Sequence, residues 1–204
     1  VSGQLLTEDY YVANKLMKGF IGSGNIDTNS RLCMASTVAA QVRSFGEDVV
    51  PGCYEDLEIA DLVVLVGSNT AWCHPVLFQR IAAARAAHGT KVIVIDPRRT
   101  ETCDIADLHL GLAPGSDVRL WNGLLAHLRH VGVVDADYLT EHVEVPTDFW
   151  AALTQDDQST AAVAADCGLS EADVAAFFTL FAKHPRTVTA WSQGSNQSST
   201  GTDN

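Results

Sequence analysis

The sequence predicts an α/β fold: a doubly wound, mainly parallel sheet with flanking helices, plus a small helical insertion. Two observations carry this. LVVLV (Leu62 to Val66) and KVIVI (Lys91 to Ile95) are unbroken apolar runs rich in β-branched residues, as expected of strands covered on both faces. Segments with helical apolar spacing alternate with them, the signature of crossover connections in a parallel sheet.

Taken in order, Thr7 to Phe20 reads as a helix. Thr7 is its expected N-cap, Glu8 and Asp9 suit its positive end, and Gly22 and Gly24 stop it. After a polar loop, Asn25 to Ser30, helical spacing resumes from Cys33 to Phe45 and ends at Gly46. The strand LVVLV follows, bounded by Gly67, then a helix from His74 to His88 closed by Gly89, then the strand KVIVI. Leu108 to Leu110 is a third strand, and Asp117 to Val131 a helix stopped by Gly132. The Ala-rich stretch 135–170 reads as a helical insertion between an α/β region, 1–134, and a return to that region, 171–204. The return comprises a helix from Glu171 to Lys183 and a strand from Thr187 to Trp191. The closing stretch SQGSNQSSTGTDN is small and polar throughout. It is either a disordered tail or a loop at the sheet's carboxyl edge.

Composition narrows the function. A net charge of −12 with no Lys/Arg stripe argues against nucleic acid as a partner. No apolar run approaches the roughly 20 residues that span a bilayer, so no membrane partner is expected. Five cysteines without a CxxC pair argue for a reducing compartment, hence the cytoplasm. His127 and His130 share a helical face, but lack companions at zinc-site spacing and read as exposed helix histidines.

In sheets of this class ligands bind beyond the carboxyl ends of strands. Three segments stand there. The first is Val66-Gly67-Ser68-Asn69-Thr70-Ala71-Trp72-Cys73, where Gly67 permits close backbone approach and Ser68 and Asn69 add hydroxyl and amide groups. It is not G-x-G-x-x-G, so the standard dinucleotide fingerprint is absent. The second is Asp96-Pro97-Arg98-Arg99, placed for ribose hydroxyls and phosphates. The third is Pro114-Gly115-Ser116-Asp117, a helix start whose carboxylate suits either a cap or the N–H donors of guanine. Taken singly, each is also an ordinary turn. Cys33 differs: it follows a polar loop in the first turn of a helix, where the dipole favours a thiolate, a soft metal ligand.

Together these segments resemble the molybdopterin oxidoreductase family, which contains dimethyl sulfoxide reductase, formate dehydrogenase and the nitrate reductases. The resemblance rests on GQLLTEDYYVANKLMKGFIGSGNIDTNSRLCMAS, PGCYEDLEIADLVVLVGSNTAWCHPVLFQRI, VIDPRRTETCDIADLHLGLAPGSD and WSQGSNQSSTGTDN, in the family's order. Within the family the assimilatory nitrate reductases are most similar. The resemblance implies a Rossmann-like domain and an internal piece of a longer enzyme, inactive alone. It implies molybdenum held by bis(molybdopterin guanine dinucleotide), with Cys33 as the metal ligand and Met34 lining the substrate funnel. Cofactor contacts are implied at Gln4 and Asn29, from Val66 to Cys73, from Asp96 to Arg99, at Gly115, Ser116 and Asp117, and at Gln193 and Gln197. Gln193 stands where the periplasmic relatives usually carry methionine. Cys53 and Cys103 are expected to be packing residues. A [4Fe–4S] cluster is expected in a part of the enzyme outside this chain, and an electron-donor protein or domain as partner. The implied chemistry is oxygen-atom transfer from nitrate. The alternatives are a formate dehydrogenase, disfavoured because Met34 rather than histidine follows Cys33, and a non-catalytic nucleotide-binding domain.

Overall fold

The apolar runs become strands because both of their faces find helices to cover them. In the computed structural model, which describes residues 1–204, the strands are β1 (Leu62–Val66), β2 (Lys91–Ile95), β3 (Leu108–Leu110) and β4 (Thr187–Trp191). They pair in the order β3-β2-β1-β4, all parallel, with Val66 opposite both Ile95 and Trp191, and Ile95 opposite Leu110. The chain moves outward from β1 to β3 and then returns to the other side of β1. The topological switch therefore lies between β1 and β4.

Alternation along the strands sorts the core into two layers. Leu62, Val64, Val66, Ile93, Ile95 and Leu110 face helices α7 (Asp117–His130), α10 (Thr160–Cys167) and α11 (Glu171–Lys183), meeting Leu120, Leu124, Val163, Cys167, Val174, Phe177 and Phe178. Val63, Leu65, Val92 and Val94 face α4 (Asp56–Ile59) and α6 (Pro75–His88) through Leu57 and Ile81, with Cys103 beside them. Gly123 lies in the middle of α7, where glycine costs a helix about 1 kcal/mol against alanine. A Cβ there would meet Val163 Cγ2 at 2.6 Å, so the missing side chain lets α10 close against α7. The Ala-rich stretch forms α8 (Ala136–His142), α9 (Phe149–Leu153) and α10. Arg119 of α7 ties it down, with Nε 2.7 Å from Asp166 Oδ2 and further bonds to Gln158 and the Asp157 carbonyl.

The chain divides into two compact units, 1–49 and 50–204. The first contains α1 (Thr7–Asn14), a wide π-helical continuation (Lys15–Ile21), α2 (Ser30–Cys33) and α3 (Ala35–Phe45). Gly22 and Gly46 close the helices in the left-handed conformation. The cap differs from expectation. Thr7 is already helical, Leu6 holds the cap position, and the Asp9 carboxylate accepts the Leu6 N–H at 3.3 Å. Asp9 reaches back to satisfy the start of the helix, so no hydroxyl at position 7 is needed for it. No helix of the chain is long and apolar enough to cross a membrane.

Candidate functional site

The carboxyl edge of the sheet delivers four loops side by side. After β1, Gly67 turns with φ +55 and donates its N–H to the Ile95 carbonyl at 2.8 Å. After β4, Gly194 donates to the Gly67 carbonyl at 3.0 Å, and Ser192 N–H to Val66 O at 3.1 Å. A Cβ on Gly67 would lie 2.6 Å from Ser195 N, and one on Gly194 2.6 Å from Gly67 Cα, so only glycines permit these backbones to touch at the switch point. Ser68 is buried, and its hydroxyl is spent inside the protein: it lies 2.9 Å from Thr70 Oγ1 and donates to Ser192 Oγ at 3.1 Å. Thr70 is buried, Ala71 half-buried, and Trp72 and Cys73 are exposed.

After β2, the Asp96 carboxylate is buried and accepts the Arg98 N–H at 2.8 Å, while Pro97, Arg98 and Arg99 are exposed. His109 on β3 holds the same turn from behind, its Nε2 2.9 Å from the Asp96 carbonyl. After β3, Gly115 takes φ +87, and Ser116 donates its hydroxyl to Ala113 O at 2.7 Å. Asp117 opens α7 and is buried, 8% exposed. Burial pushes its pKa up, against the opposing pull of its own backbone N–H. The loop is braced by the end of α10: Ala113 N–H donates to Cys167 O at 2.8 Å, and Cys167 Sγ lies 3.6 Å from Ser116 O.

The polar closing stretch is ordered at this edge. Gln193–Asn196 form one helical turn, α12. Asn204 Nδ2 then donates to Ser195 O at 2.8 Å and to Ser198 Oγ at 3.0 Å, folding the loop onto itself. Gln193 and Gln197 are exposed, whereas Asn196 is buried with its Oδ1 lacking any partner.

The remaining candidates lie together in the first unit. Asn29 Oδ1 accepts the Gly3 N–H, and its carbonyl accepts the Cys33 N–H at 2.9 Å. Exposed Gln4 follows Gly3, and the Tyr10 hydroxyl pins this stretch by donating to Ser2 O at 2.8 Å and accepting Leu5 N–H at 3.2 Å. Cys33 is partly exposed. It ends the single turn of α2 rather than beginning a longer helix, because Met34 (φ −116, ψ 14) breaks the run before α3. The helix-dipole rationale for a thiolate within a first helical turn therefore does not hold at Cys33.

The family model for molybdopterin oxidoreductases matches residues 1–203. The chain belongs to the molybdopterin oxidoreductase family. It is 52% identical over 203 residues to a nitrate reductase from Shewanella frigidimarina, covering 100% of this chain and 22% of that protein. It is 54% identical over 204 residues to a nitrate reductase from Klebsiella oxytoca, covering 99% of this chain and 23% of that protein. The chain thus spans less than a quarter of the length of these relatives. Among solved structures, acetylene hydratase from Pelobacter acetylenicus superposes with a TM-score of 0.66 over 86% of this chain and 23% of that one. At 21% identity that likeness speaks for the fold alone.

Membership in the molybdopterin oxidoreductases implies a molybdenum–pterin cofactor, and the rim of the sheet fits such a group. Along this edge stand the Gly67–Gly194 backbone contact, the buried Asp117 carboxylate and the buried Asn196 Oδ1, which has no partner. A pterin brings ring N–H donors to such acceptors. Three groups of this edge escaped sequence reasoning: Thr102, His109 and Asn196. All three matter through contacts far along the chain or through burial, which no local pattern records. Two cysteine and histidine expectations also change. Cys103 is buried, but Cys53 is exposed, its N–H held by Asp56 at 2.8 Å. His127 is not an exposed histidine: it packs on Phe178 at 5.3 Å between ring centroids, and burial, with His130 nearby, lowers its pKa.

Proposed function

We propose that this chain is part of a cytoplasmic nitrate reductase that carries molybdenum as bis(molybdopterin guanine dinucleotide). The observation that carries the substrate is identity above one half, across the whole chain, to relatives named nitrate reductases. Met34 next to Cys33 adds support, since a formate dehydrogenase would be expected to offer a histidine there for proton handling.

In this reading Cys33 supplies the metal's protein ligand through its sulfur, and Met34, 43% exposed, lines the approach of nitrate. Gln4, next to the Gly3 whose N–H Asn29 accepts, and Asn29, whose carbonyl accepts the Cys33 N–H, contact the cofactor from this unit. Asp117 accepts from guanine N–H groups, the acceptor role to which an ionised carboxylate is restricted. Arg98 and Arg99 face phosphate, and the backbone around Gly67 approaches the cofactor closely. Thr70, Ala71, Trp72, Cys73, Asp96, Pro97, Gly115, Ser116, Gln193 and Gln197 complete the contacts. When bound, the cofactor supplies the two-electron couple by which nitrate, two protons and two electrons become nitrite and water. An electron-donor protein or domain and a [4Fe–4S] cluster elsewhere in the polypeptide deliver those electrons.

The test is a pair of assays, nitrate and formate, on the full-length enzyme, with molybdenum and guanine nucleotide measured in the same sample. Nitrate turnover with both components present is expected. Formate oxidation without nitrate reduction would replace the reading.

A further inference from the structure

Asn69 occupies the cap position of α5 (Thr70–Cys73), yet its side chain makes no cap hydrogen bond. Another residue does that work. Thr102 lies in the short 3-10 helix Glu101–Ile105 that follows β2, and its side chain is fully buried. Its Oγ1 accepts the Ala71 N–H at 3.1 Å, the donor an N-cap side chain ordinarily satisfies. Its single hydroxyl proton is then donated to Asn69 Oδ1 at 3.0 Å. A buried hydroxyl must place its proton on an acceptor, so the Asn69 atom facing it is the carbonyl oxygen. That fixes the amide: Oδ1 is committed inward, and Nδ2 with its two N–H donors is left for whatever occupies the rim.

We propose that Thr102 is a positioning residue. By capping α5 in place of Asn69 and anchoring Asn69 Oδ1, it makes Asn69 a dedicated hydrogen-bond donor to an oxygen acceptor of the bound pterin nucleotide. The inference rests on the reading of this rim as the nucleotide cradle. It links the loop after β1 to the loop after β2 through one side chain, so both present a fixed arrangement before the cofactor arrives. Preorganisation of this kind raises retention by removing the cost of ordering the amide on binding.

The experiment uses the full-length holoenzyme and reads the cofactor rather than turnover: pterin per chain, measured by fluorescence after oxidation, and its rate of loss on prolonged dilution. Thr102→Val keeps the shape and removes the hydroxyl. Loss of one such hydrogen bond is expected to speed release about five- to tenfold. Thr102→Ser restores the hydroxyl and is expected to restore retention. Asn69→Ala should release cofactor as fast as Thr102→Val, and the double variant no faster than either, since both remove the same donor. Asn69→Asp still accepts from Thr102 but offers no N–H, so it too should lose cofactor, and it decides the matter should Thr102→Val fail to fold. Retention unchanged in Thr102→Val or in Asn69→Asp would overturn the positioning role while leaving the cradle intact. Equal sensitivity to Thr102→Val with and without Asn69 would overturn it as well. A wild-type enzyme free of pterin would overturn both this inference and the functional reading.

Discussion

The two units solve the problem of stability differently. Residues 50–204 enclose two apolar layers, with Phe177, Phe178, Leu62 and Val63 among many side chains wholly removed from water. Residues 1–49 bury no apolar side chain at all; their only buried residues are Thr37 and Gln41, and Leu6, Phe20 and Leu32 are 71%, 77% and 88% exposed. The rim of the sheet is thus held by the strongest packing in the chain, while Cys33 is presented by an element held by local hydrogen bonds. Local stability follows such differences in buried apolar contact. The carboxyl rim of the sheet is made rigid by the core beneath it, whereas the thiol-bearing unit draws little on apolar burial of its own.

The sharpest way to break this contrast is Phe177→Ala. Phe177 packs edge-on against Trp121 at 5.8 Å and against Phe181 at 6.1 Å, and its loss should destabilise the second unit by about 3 to 5 kcal/mol in denaturant unfolding. A loss below about 1 kcal/mol would contradict the assignment of the core. Next, Gly67→Ala combines a left-handed backbone with a collision against Ser195 N, and should cost about 3 kcal/mol. Gly22→Ala in the first unit shares the positive φ but has open space around it, so about 1 kcal/mol is expected. Equal costs at the two glycines would show that the switch-point contact is unimportant.

A smaller effect concerns Asp117. Its folded-state pKa is raised by burial, so whatever stability the protonated form contributes is complete below the unfolded value of about 3.9 and is lost as pH rises through the folded value. Asp117→Asn should therefore be more stable than the parent at neutral pH when no cofactor is bound, with the gap closing toward pH 4. The same variant should retain less cofactor. Thermal unfolding at the two pH values, with pterin content, checks both halves. A variant less stable at neutral pH and equally loaded would remove Asp117 from the site. The smallest effect is expected for Leu32→Ala, within about 0.5 kcal/mol, because its side chain is almost entirely in water.

Much of the fold was legible because its strongest signals are local. LVVLV and KVIVI announce strands covered on both faces, and Gly89 and Gly132 end the helices before them in the left-handed conformation. Helical spacing, however, continues across Met34, so the break between α2 and α3 left no trace in the apolar pattern. Thr7 looked like a cap because hydroxyl residues favour that position, and Asp9 took the role from three residues beyond Leu6. At the rim, Gly67 and Asp117 could be singled out as residue types suited to close approach and to guanine. Thr102 could not: a threonine between Glu101 and Cys103 reads as an ordinary exposed hydroxyl until the 3-10 turn after β2 brings it against Asn69. The orphaned Asn196 Oδ1 was hidden for the same reason, in a stretch that composition alone left open between tail and loop.

X-ray absorption at molybdenum tests most directly the proposal that Cys33 gives the metal its protein sulfur. In the full-length enzyme, Cys33→Ser should lose one sulfur from the metal's first coordination sphere and gain an oxygen, with nitrate turnover abolished and pterin still bound. An unchanged sulfur shell with near-normal nitrate turnover would contradict the account.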